Sequence, residues 1–295
     1  MLAFATTRDE TLRLPVWLDH HRRLGVDHFL VVDNASTDGS AAMLADQPDV
    51  SLWSTAASYK AARFGMDWLG ALMVRHGHGH WCLTLDADEL LIYAHHDTRP
   101  LGALTDWLDD HGVEAMGALM LDLYPRGPLS TALAAPGDDP ATAIPWFDAG
   151  NYLPFRQPRH GELRIQGGPR ARVFFAEAPR RAPTLSKLPL VRWNRRHVYI
   201  ASTHAALPRR LNAAFAALPG PWPSGVLLHT KFLADVTRRS AEELDRRQMR
   251  TGPDGYDDYY HALIDDPTLW TPHSTRLEDW RQLERLGLLS RGGWE

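Results

Sequence analysis

The apolar positions of the first 120 residues fall into two alternating kinds of run. Short uninterrupted runs have the length and composition of buried strands: Leu2-Ala3-Phe4-Ala5, Phe29-Leu30-Val31-Val32, Val50-Ser51-Leu52-Trp53, Trp81 to Leu85 and Met116 to Leu121. Between them apolar residues recur at helical spacing. Leu14, Trp17, Leu18, His21 and Leu24 form one stripe, closed by Gly25. Phe64, Trp68, Leu69, Leu72 and Met73 form a second within 59–75, and Leu101, Leu104, Trp107 and Leu108 a third. Pro15 fits the first helix only in its first turn. Ser40 is placed to cap a short helix after the turn Asn34 to Gly39. Repeated strand–helix units of this length predict an α/β fold with a mostly parallel sheet and helices on both faces.

From about Tyr124 the pattern breaks. Residues 125–190 are rich in Pro, Gly and Arg with few periodic segments. That is too long for an idle connection and predicts a loop-rich substrate-binding region. Short strands return at Val198-Tyr199-Ile200 and Gly225 to Leu228. A polar helix follows over Ser240 to Met249, and an amphipathic one over Leu277 to Leu289. No internal repeat or low-complexity segment interrupts this order.

The chemistry sits at strand ends. The run Trp81 to Leu85 closes on Asp86-Ala87-Asp88-Glu89. Carboxylates at the carboxyl end of a parallel strand face the crevice in which open α/β sheets bind ligands. In a fully extended chain Asp86 and Asp88 share one side about 7 Å apart. A bend there lets one reach a divalent cation directly and the other through water or phosphate, and the cation can hold a diphosphate. The plainer reading is a polar strand end; the strand context favours metal, Mn²⁺ or Mg²⁺. Asp33, ending an earlier strand, is placed to accept hydrogen bonds from a base or ribose. Alone it reads equally as a capped turn.

Composition narrows the classes. The chain has 295 residues, enough for one large α/β domain or two small ones. A net charge of −4 argues against a nucleic-acid protein built on a basic face. Cys82 is the only cysteine, which excludes an intrachain disulfide and a Cys-based zinc finger and suits a reducing compartment. The N-terminus runs at once into Arg8-Asp9-Glu10, unlike a signal peptide. No apolar run approaches 18 residues, so no membrane span is expected, and the expected location is cytoplasmic. Most of the 11 tryptophans read as core, a minority as surfaces for a sugar or base.

The motifs in order resemble those of GT-A fold glycosyltransferases, in the family 2-like and family 92-like bacterial group. Thr7-Arg8-Asp9-Glu10 with Trp17-Leu18-Asp19-His20-His21 and Leu24-Gly25-Val26 resembles that group's opening "K/R-N-E … E-W … H-H … G", departing from it at Asp9. Asp33 to Gly39 resembles "D-N-x-S-x-D-G", and Asp86-Ala87-Asp88-Glu89 resembles "D-x-D-E-F". These cover residues 4–90. Fainter echoes run to about 245, at Gly167 to Phe174, Ser186 to Leu190, Ser202-Thr203-His204 and Leu228-His229-Thr230-Lys231.

The resemblance implies a Rossmann-like GT-A catalytic domain over residues 1–235. Its nucleotide-binding half would be 1–123 and its acceptor and metal-completing half 124–235, with a helical extension over 236–295. It implies sugar transfer from a UDP- or other nucleotide-sugar donor to a carbohydrate, lipid-linked or protein acceptor. The nucleotide-sugar would meet Thr7, Arg8, Glu10, Asp33, Asn34 and Asp86. Asp86 and Asp88 would hold the metal, completed by a downstream histidine, His229 or His204; imidazole suits manganese as well as carboxylate does.

Three sets of residues are read from chemistry instead. Arg170, Arg172 and Lys187, with Arg180 and Arg181, offer charge for a departing diphosphate, or are a solvated basic loop. Asp122, at the end of the strand after Asp86-Ala87-Asp88, is the best-placed base for an acceptor hydroxyl, with Glu162 and Glu177 as alternatives. His76, His78 and His80 alternate with glycine in a metal-like pattern, but that turn belongs at the opposite end of the sheet and reads as a solvent loop. Two rival functions remain. A nucleotidyltransferase would usually want a glycine-rich phosphate loop, which Ala5-Thr6-Thr7-Arg8 does not supply. A carbohydrate-binding protein would not need Asp86-Ala87-Asp88 in such a crevice.

Overall fold

The computed structural model describes residues 1–246 and 256–295. The strands of the first half are β1 (Leu2–Thr7), β2 (His28–Asp33), β3 (Val50–Ser54), β4 (Trp81–Thr84), β5 (Glu89–Ile92) and β6 (Ala115–Asp122). Those that follow are β7 (Trp146–Phe147), β8 (Tyr152–Arg156), β9 (Leu163–Gly167), β10 (Ser186–Arg192), β11 (Val198–Tyr199), β12 (Ala206–Leu207), β13 (Gly225–His229) and β14 (Thr275–Arg276). The α-helices are α1 (Leu14–Leu24), α2 (Ser40–Ala45), α3 (Met66–Leu72), α4 (Leu101–Asp110), α5 (Pro140–Ala143), α6 (Val236–Arg246), α7 (Asp257–Ile264) and α8 (Trp280–Arg285).

Eight strands form one sheet in the order β3-β2-β1-β4-β10-β6-β13-β5. Six run the same way; β10 and β5 are antiparallel to their neighbours. The fold is therefore the expected α/β class with a mostly parallel sheet. All eight residues of β6 are buried, which is why its sequence is an unbroken apolar run. Trp17, Leu14 and Leu18 of α1 pack fully into the core beside Phe4 and Phe29, and Gly25 ends that helix in the left-handed region.

The segment carrying Asp86 and Asp88 has an unusual route. Only Leu85 to Asp88 separate β4 from β5, yet three strands lie between them. From Thr84 to Glu89 the chain reaches at most about 18 Å. Four strand spacings of a flat sheet come to about 19 Å. The sheet must curl, and the two aspartates sit in the tight turn that joins the strands, closed by Glu89 N donating to Asp86 O at 3.1 Å.

Three predicted elements differ. The helix expected over 59–75 is α-helical only at Met66–Leu72, followed by a π turn at Met73–Gly77. Before it, Arg63, Phe64 and Gly65 all take positive φ (50°, 58° and 76°), and Phe64 is exposed. A Cβ at Gly65 would lie 2.8 Å from Thr6 Oγ1 and 3.0 Å from the Tyr59 ring, so the chain folds tightly over the end of β1 there. The loop region 125–190 contains a β-hairpin, β8–β9, and a central strand, β10. The latter escapes the pattern because Lys187 and Pro189 interrupt it; Pro189 falls where the register against β6 shifts, between Lys187 and Leu190. The last amphipathic stretch is helical only over Trp280–Arg285, where the Asp279 side chain accepts from Gln282 N. The helix expected to end at Met249 begins earlier, at Val236; residues 247–249 lie outside the described residues.

The C-terminal segment returns to the main body. β14 pairs with β7, and Trp280, Leu283, Leu288, Leu289 and Trp294 join the principal core. A second core gathers Tyr124, Phe232 and Val236 with Tyr259, Tyr260 and Leu263 of α7. One close approach is testable. A Cβ at Gly117 in β6 would lie 2.1 Å from Phe215 Cγ. Gly117→Ala is expected to lower stability by about 1–3 kcal/mol through overpacking, measured by urea unfolding.

Candidate active site

Four strand ends meet at one edge of the sheet. Thr7 of β1 lies in register with Asp33 of β2, and Asp122 of β6 with His229 of β13. Across the antiparallel edge His229 faces Glu89 of β5.

Asp88, His229 and Asp122 form a linked acid–base group at this edge. His229 Nε2 lies 3.1 Å from Asp88 Oδ2, and Nδ1 lies 2.7 Å from Asp122 Oδ1. Burial pulls the His229 pKa down, but Asp88 and Asp122 outweigh it and the pKa is raised. As an imidazolium the ring donates to both carboxylates. Asp88 is held well below the usual carboxylate range, burial being outweighed chiefly by His229. Asp122 is fully buried and also accepts from Arg170 Nη2 at 2.6 Å. Its pKa is lowered, with Arg170 and His229 overcoming burial.

These contacts give Asp122 an internal role: Arg170 and His229 both lie on Oδ1, while Oδ2 is buried with no partner among the described residues. The carboxylate holds the His229 ring in place. Arg170 is likewise internal: it is buried, its NH2 group 2.8 Å from His229 Nδ1, and Asp122 raises its pKa against the effect of burial. Glu162 and Glu177 do not replace Asp122; Glu162 stands beside the β8–β9 turn and Glu177 is exposed.

Asp86 turns another way. Its Oδ2 accepts from Lys187 Nζ at 2.7 Å, and the same ammonium lies 2.5 Å from Glu89 Oε1. Burial, together with Asp86 and Asp88, pushes the Glu89 carboxyl up to about 7, with Lys187 acting against it. Burial pulls the Lys187 pKa down, but Asp86 and Glu89 raise it overall. Lys187 is thus an internal counter-ion for two acids.

The nucleotide-side residues form a laced turn. Asp33 is 3% exposed; Oδ2 accepts from Ser36 N at 3.1 Å, while Oδ1 is buried with no partner. Thr7 Oγ1 is in the same condition. Buried polar atoms of this kind have room for a further partner, a water or a ligand group. Asn34 is committed to structure: its side chain donates to the carbonyls of Thr55 and Ala57, each at 3.0 Å. Arg8 Nη1 donates to Asn34 O at 3.1 Å. Thr37 N donates to Asp9 Oδ1, and Thr11 N to Asp38 Oδ2. A cavity of about 490 Å³ opens beside this turn, lined by Arg8, Asp9, Thr37 and Asp38 and by Arg238 and Glu242 of α6. Asp88 and His229 do not line it, so the cavity and the acidic centre are neighbours rather than one pocket.

Three expected residues fall outside the centre. Glu10 is paired with Arg13 and Arg239, which withdraws it into a structural network. Arg172 makes two hydrogen bonds to Asp148, at 3.0 and 2.9 Å, and one to Leu269 O. His204 Nδ1 lies 2.6 Å from Ser186 O, and burial beside Lys187 lowers its pKa to about 4; it does not approach Asp88. His76, His78 and His80 are exposed at the amino end of β4, away from the site.

Lys231, two residues beyond His229, completes the surroundings. Its ammonium lies 5.0 Å from the Tyr259 ring centroid and 5.7 Å from that of Tyr260. It pairs with no carboxylate among the described residues. Burial and then Arg170 lower its pKa to about 8. Its signal in the sequence is only its place after a strand-end histidine.

Among the described residues no group of three or more His, Cys, Asp or Glu gathers in metal-holding geometry. Asp88 and His229 are nevertheless a fitting pair. Two ligands about 2.1 Å from an octahedral ion and at right angles lie about 3.0 Å apart, close to the 3.1 Å observed. Asp122 on the far nitrogen is the usual carboxylate support of a ligating imidazole. Two protein ligands suit an ion that keeps waters and phosphate oxygens in its shell.

No family model matches the chain, and no curated protein matches it. Among solved structures, a 4-diphosphocytidyl-2C-methyl-D-erythritol synthase is similar at 17% identity and a TM-score of 0.28, over 46% of this chain and 64% of that protein's own length. A protein assigned as a glucose-1-phosphate thymidylyltransferase from Bacillus anthracis, crystallised with a sucrose, is similar at 8% identity and a TM-score of 0.32, over 98% of this chain and 94% of that one. Likeness at this level assigns neither a family nor an activity. No helix of the described residues is long and apolar enough to cross a membrane.

Proposed function

We propose that the chain is a metal-dependent glycosyltransferase that takes a sugar from a nucleotide-sugar donor, UDP-linked in the first instance. The observation that carries this reading is the Asp88–His229 pair, 3.1 Å apart with Asp122 beneath the imidazole, on the sheet edge that also carries Asp33. The motif resemblance supports it. Asp88 and His229 would hold Mn²⁺ or Mg²⁺, with Asp86 reaching it through water or phosphate. When bound, the ion supplies Lewis-acid stabilisation of the departing diphosphate. Asp122 orients His229. Asp33 offers its free Oδ1 to a base or ribose. Lys231 offers a positive charge to the diphosphate, and Lys187 keeps Asp86 and Glu89 from repelling it.

The test is binding followed by product analysis. UDP at a hundredfold excess over its Kd in Mn²⁺ should stabilise the protein by about 2.7 kcal/mol, and the same UDP concentration should stabilise it less in EDTA. Equal stabilisation in EDTA removes the metal bridge. Release of UDP from a panel of UDP-sugars identifies glycosyl transfer or its hydrolytic side reaction. Release of pyrophosphate from a nucleoside triphosphate and a sugar phosphate would instead assign the site to nucleotidyl transfer.

Asp33→Ala is expected to weaken nucleotide binding roughly tenfold, the loss of about one charge-assisted hydrogen bond. Calorimetric titration of the folded variant measures it; unchanged affinity would return Asp33 to the role of a turn residue.

A further inference from the structure

Residues 151–215 carry thirteen Lys or Arg against two Asp or Glu, whereas the whole chain carries 32 against 36. Part of this charge is internal, since Arg170, Arg172, Lys187, Arg192 and Arg210 face carboxylates. Of the rest, Arg195 and Arg196 follow β10, and five arginines gather around the β8–β9 hairpin. Arg156 and Arg164 lie in its strands and Arg159 in its turn. Arg209 reaches that turn, donating to Pro158 O at 3.1 Å. Arg180 is tied to β9 through its carbonyl, which accepts from Gln166 Nε2 at 2.9 Å. None of these five guanidinium groups pairs with a carboxylate among the described residues.

The same hairpin exposes apolar side chains. Leu153 is 64% exposed and Phe155 41%. Leu153 pairs with Gln166 and Phe155 with Arg164, whereas Pro154 pairs with Ile165 and Arg156 with Leu163. Directly paired residues share a face. Leu163, Ile165 and Gln166 are buried, whereas Leu153, Pro154, Phe155 and Arg156 are all exposed, so β9 packs into the protein and β8 is the exposed edge of the ribbon. On one side of that edge Leu153 and Phe155 stand beside Arg164.

We propose that this hairpin face is a docking surface for an anionic lipid bilayer. Leu153 and Phe155 would enter the boundary between headgroups and acyl chains, and the arginines would meet lipid phosphates. A soluble acidic polymer would use the arginines alone and gain nothing from two projecting apolar side chains. The charge split supports the choice of sign: the basic segment sits on an otherwise acidic protein, which orients it toward a negative surface. β9 ends three residues before Arg170, so docking here holds the strand-end crevice near the lipid surface. The proposal stands whether or not the catalytic reading does.

Co-sedimentation of the full chain with phosphatidylcholine vesicles, made with and without phosphatidylglycerol, tests it. Binding is expected only to the anionic vesicles, and to weaken with salt. Arg159→Glu/Arg180→Glu should weaken it by at least roughly fivefold per arginine, the fold-change of about 1 kcal/mol each. Leu153→Asp/Phe155→Asp should weaken it at least roughly tenfold, since both lose apolar contact. These positions are exposed, and circular dichroism with a melting curve confirms that the variants fold. Absence of vesicle binding by the parent overturns the proposal. So does vesicle binding that the Leu153/Phe155 variant retains in full. Retention on a soluble acidic polysaccharide without vesicle binding would assign the face to that polymer, and overturns it too.

Discussion

His229→Ala is expected to bind manganese roughly 10–100-fold more weakly in the presence of UDP, while His204→Ala leaves the affinity unchanged. The distinction rests on geometry. His229 presents Nε2 to Asp88 with Nδ1 anchored on Asp122, whereas His204 is spent on Ser186 O. The pH dependence gives an independent signature. A ligating imidazole must shed the Nε2 proton, so metal binding competes with protonation. The His229 pKa is raised above 6.5. Apparent metal affinity should therefore climb as pH rises toward that raised value and level off beyond it. Below it the slope should approach tenfold per pH unit, and His229→Ala should flatten it. Asp122→Asn should lose less metal affinity, because an amide oxygen can still accept from Nδ1, at a cost in stability since buried Arg170 loses its carboxylate. Manganese titration by electron paramagnetic resonance reads all three variants. A larger loss in His204→Ala than in His229→Ala would invert the assignment. No loss in either would leave the ion, if bound at all, to the carboxylates.

The strand ends are legible in the sequence because parallel strands buried on both faces must be apolar throughout. The first polar residue of each run therefore marks the sheet edge. Asp33, Asp86 and His229 are all found that way. What each carboxylate does there is a different matter. Asp122 ends its strand like Asp33, but whether such a group faces a crevice or lies under it depends on which side chains come from distant segments. Arg170 and His229, which take up its Oδ1, are 48 and 107 residues away. Glu10 is similar: its local motif suggests a ligand contact, but Arg239, 229 residues on, claims it. The same distance hides Lys187 as the partner of Asp86. Its strand is masked by the lysine itself and by Pro189, so a central element reads as loop. Lys231 leaves the weakest trace of all, because its aromatic surroundings come from α7.

Arg13→Ala is expected to cost about 3 kcal/mol of stability, the lower end of what breaking a buried ion pair costs, since Arg239 remains as a second cation. Arg13 is 3% exposed. Its guanidinium donates to both oxygens of Asp235, at 2.7 and 2.8 Å, and to Thr230 O at 3.3 Å. Thr230 in turn donates its N–H to Asp88 O at 2.8 Å. The opening segment, the residue preceding α6 and the turn that carries Asp88 are therefore tied through one side chain. Removing it leaves the carboxylates of Glu10 and Asp235 with Arg239 alone. The sign of the acid dependence follows. Asp235 has a lowered pKa, with Arg13 as the first partner opposing burial. Its contribution is present above the unfolded carboxylate value and is lost as pH falls through the folded one. Arg13→Ala should shrink that acid-side loss as well as the total. Urea unfolding near neutral pH and again below pH 4 measures both, and the Arg13→Ala/Asp235→Ala double variant should lose less than the two single losses combined. Additive losses would mean that the two groups do not stabilise one another. A loss of only a few tenths of a kcal/mol would mean that Arg239 suffices, and that Arg13 does not tie α6 to the Asp88 turn.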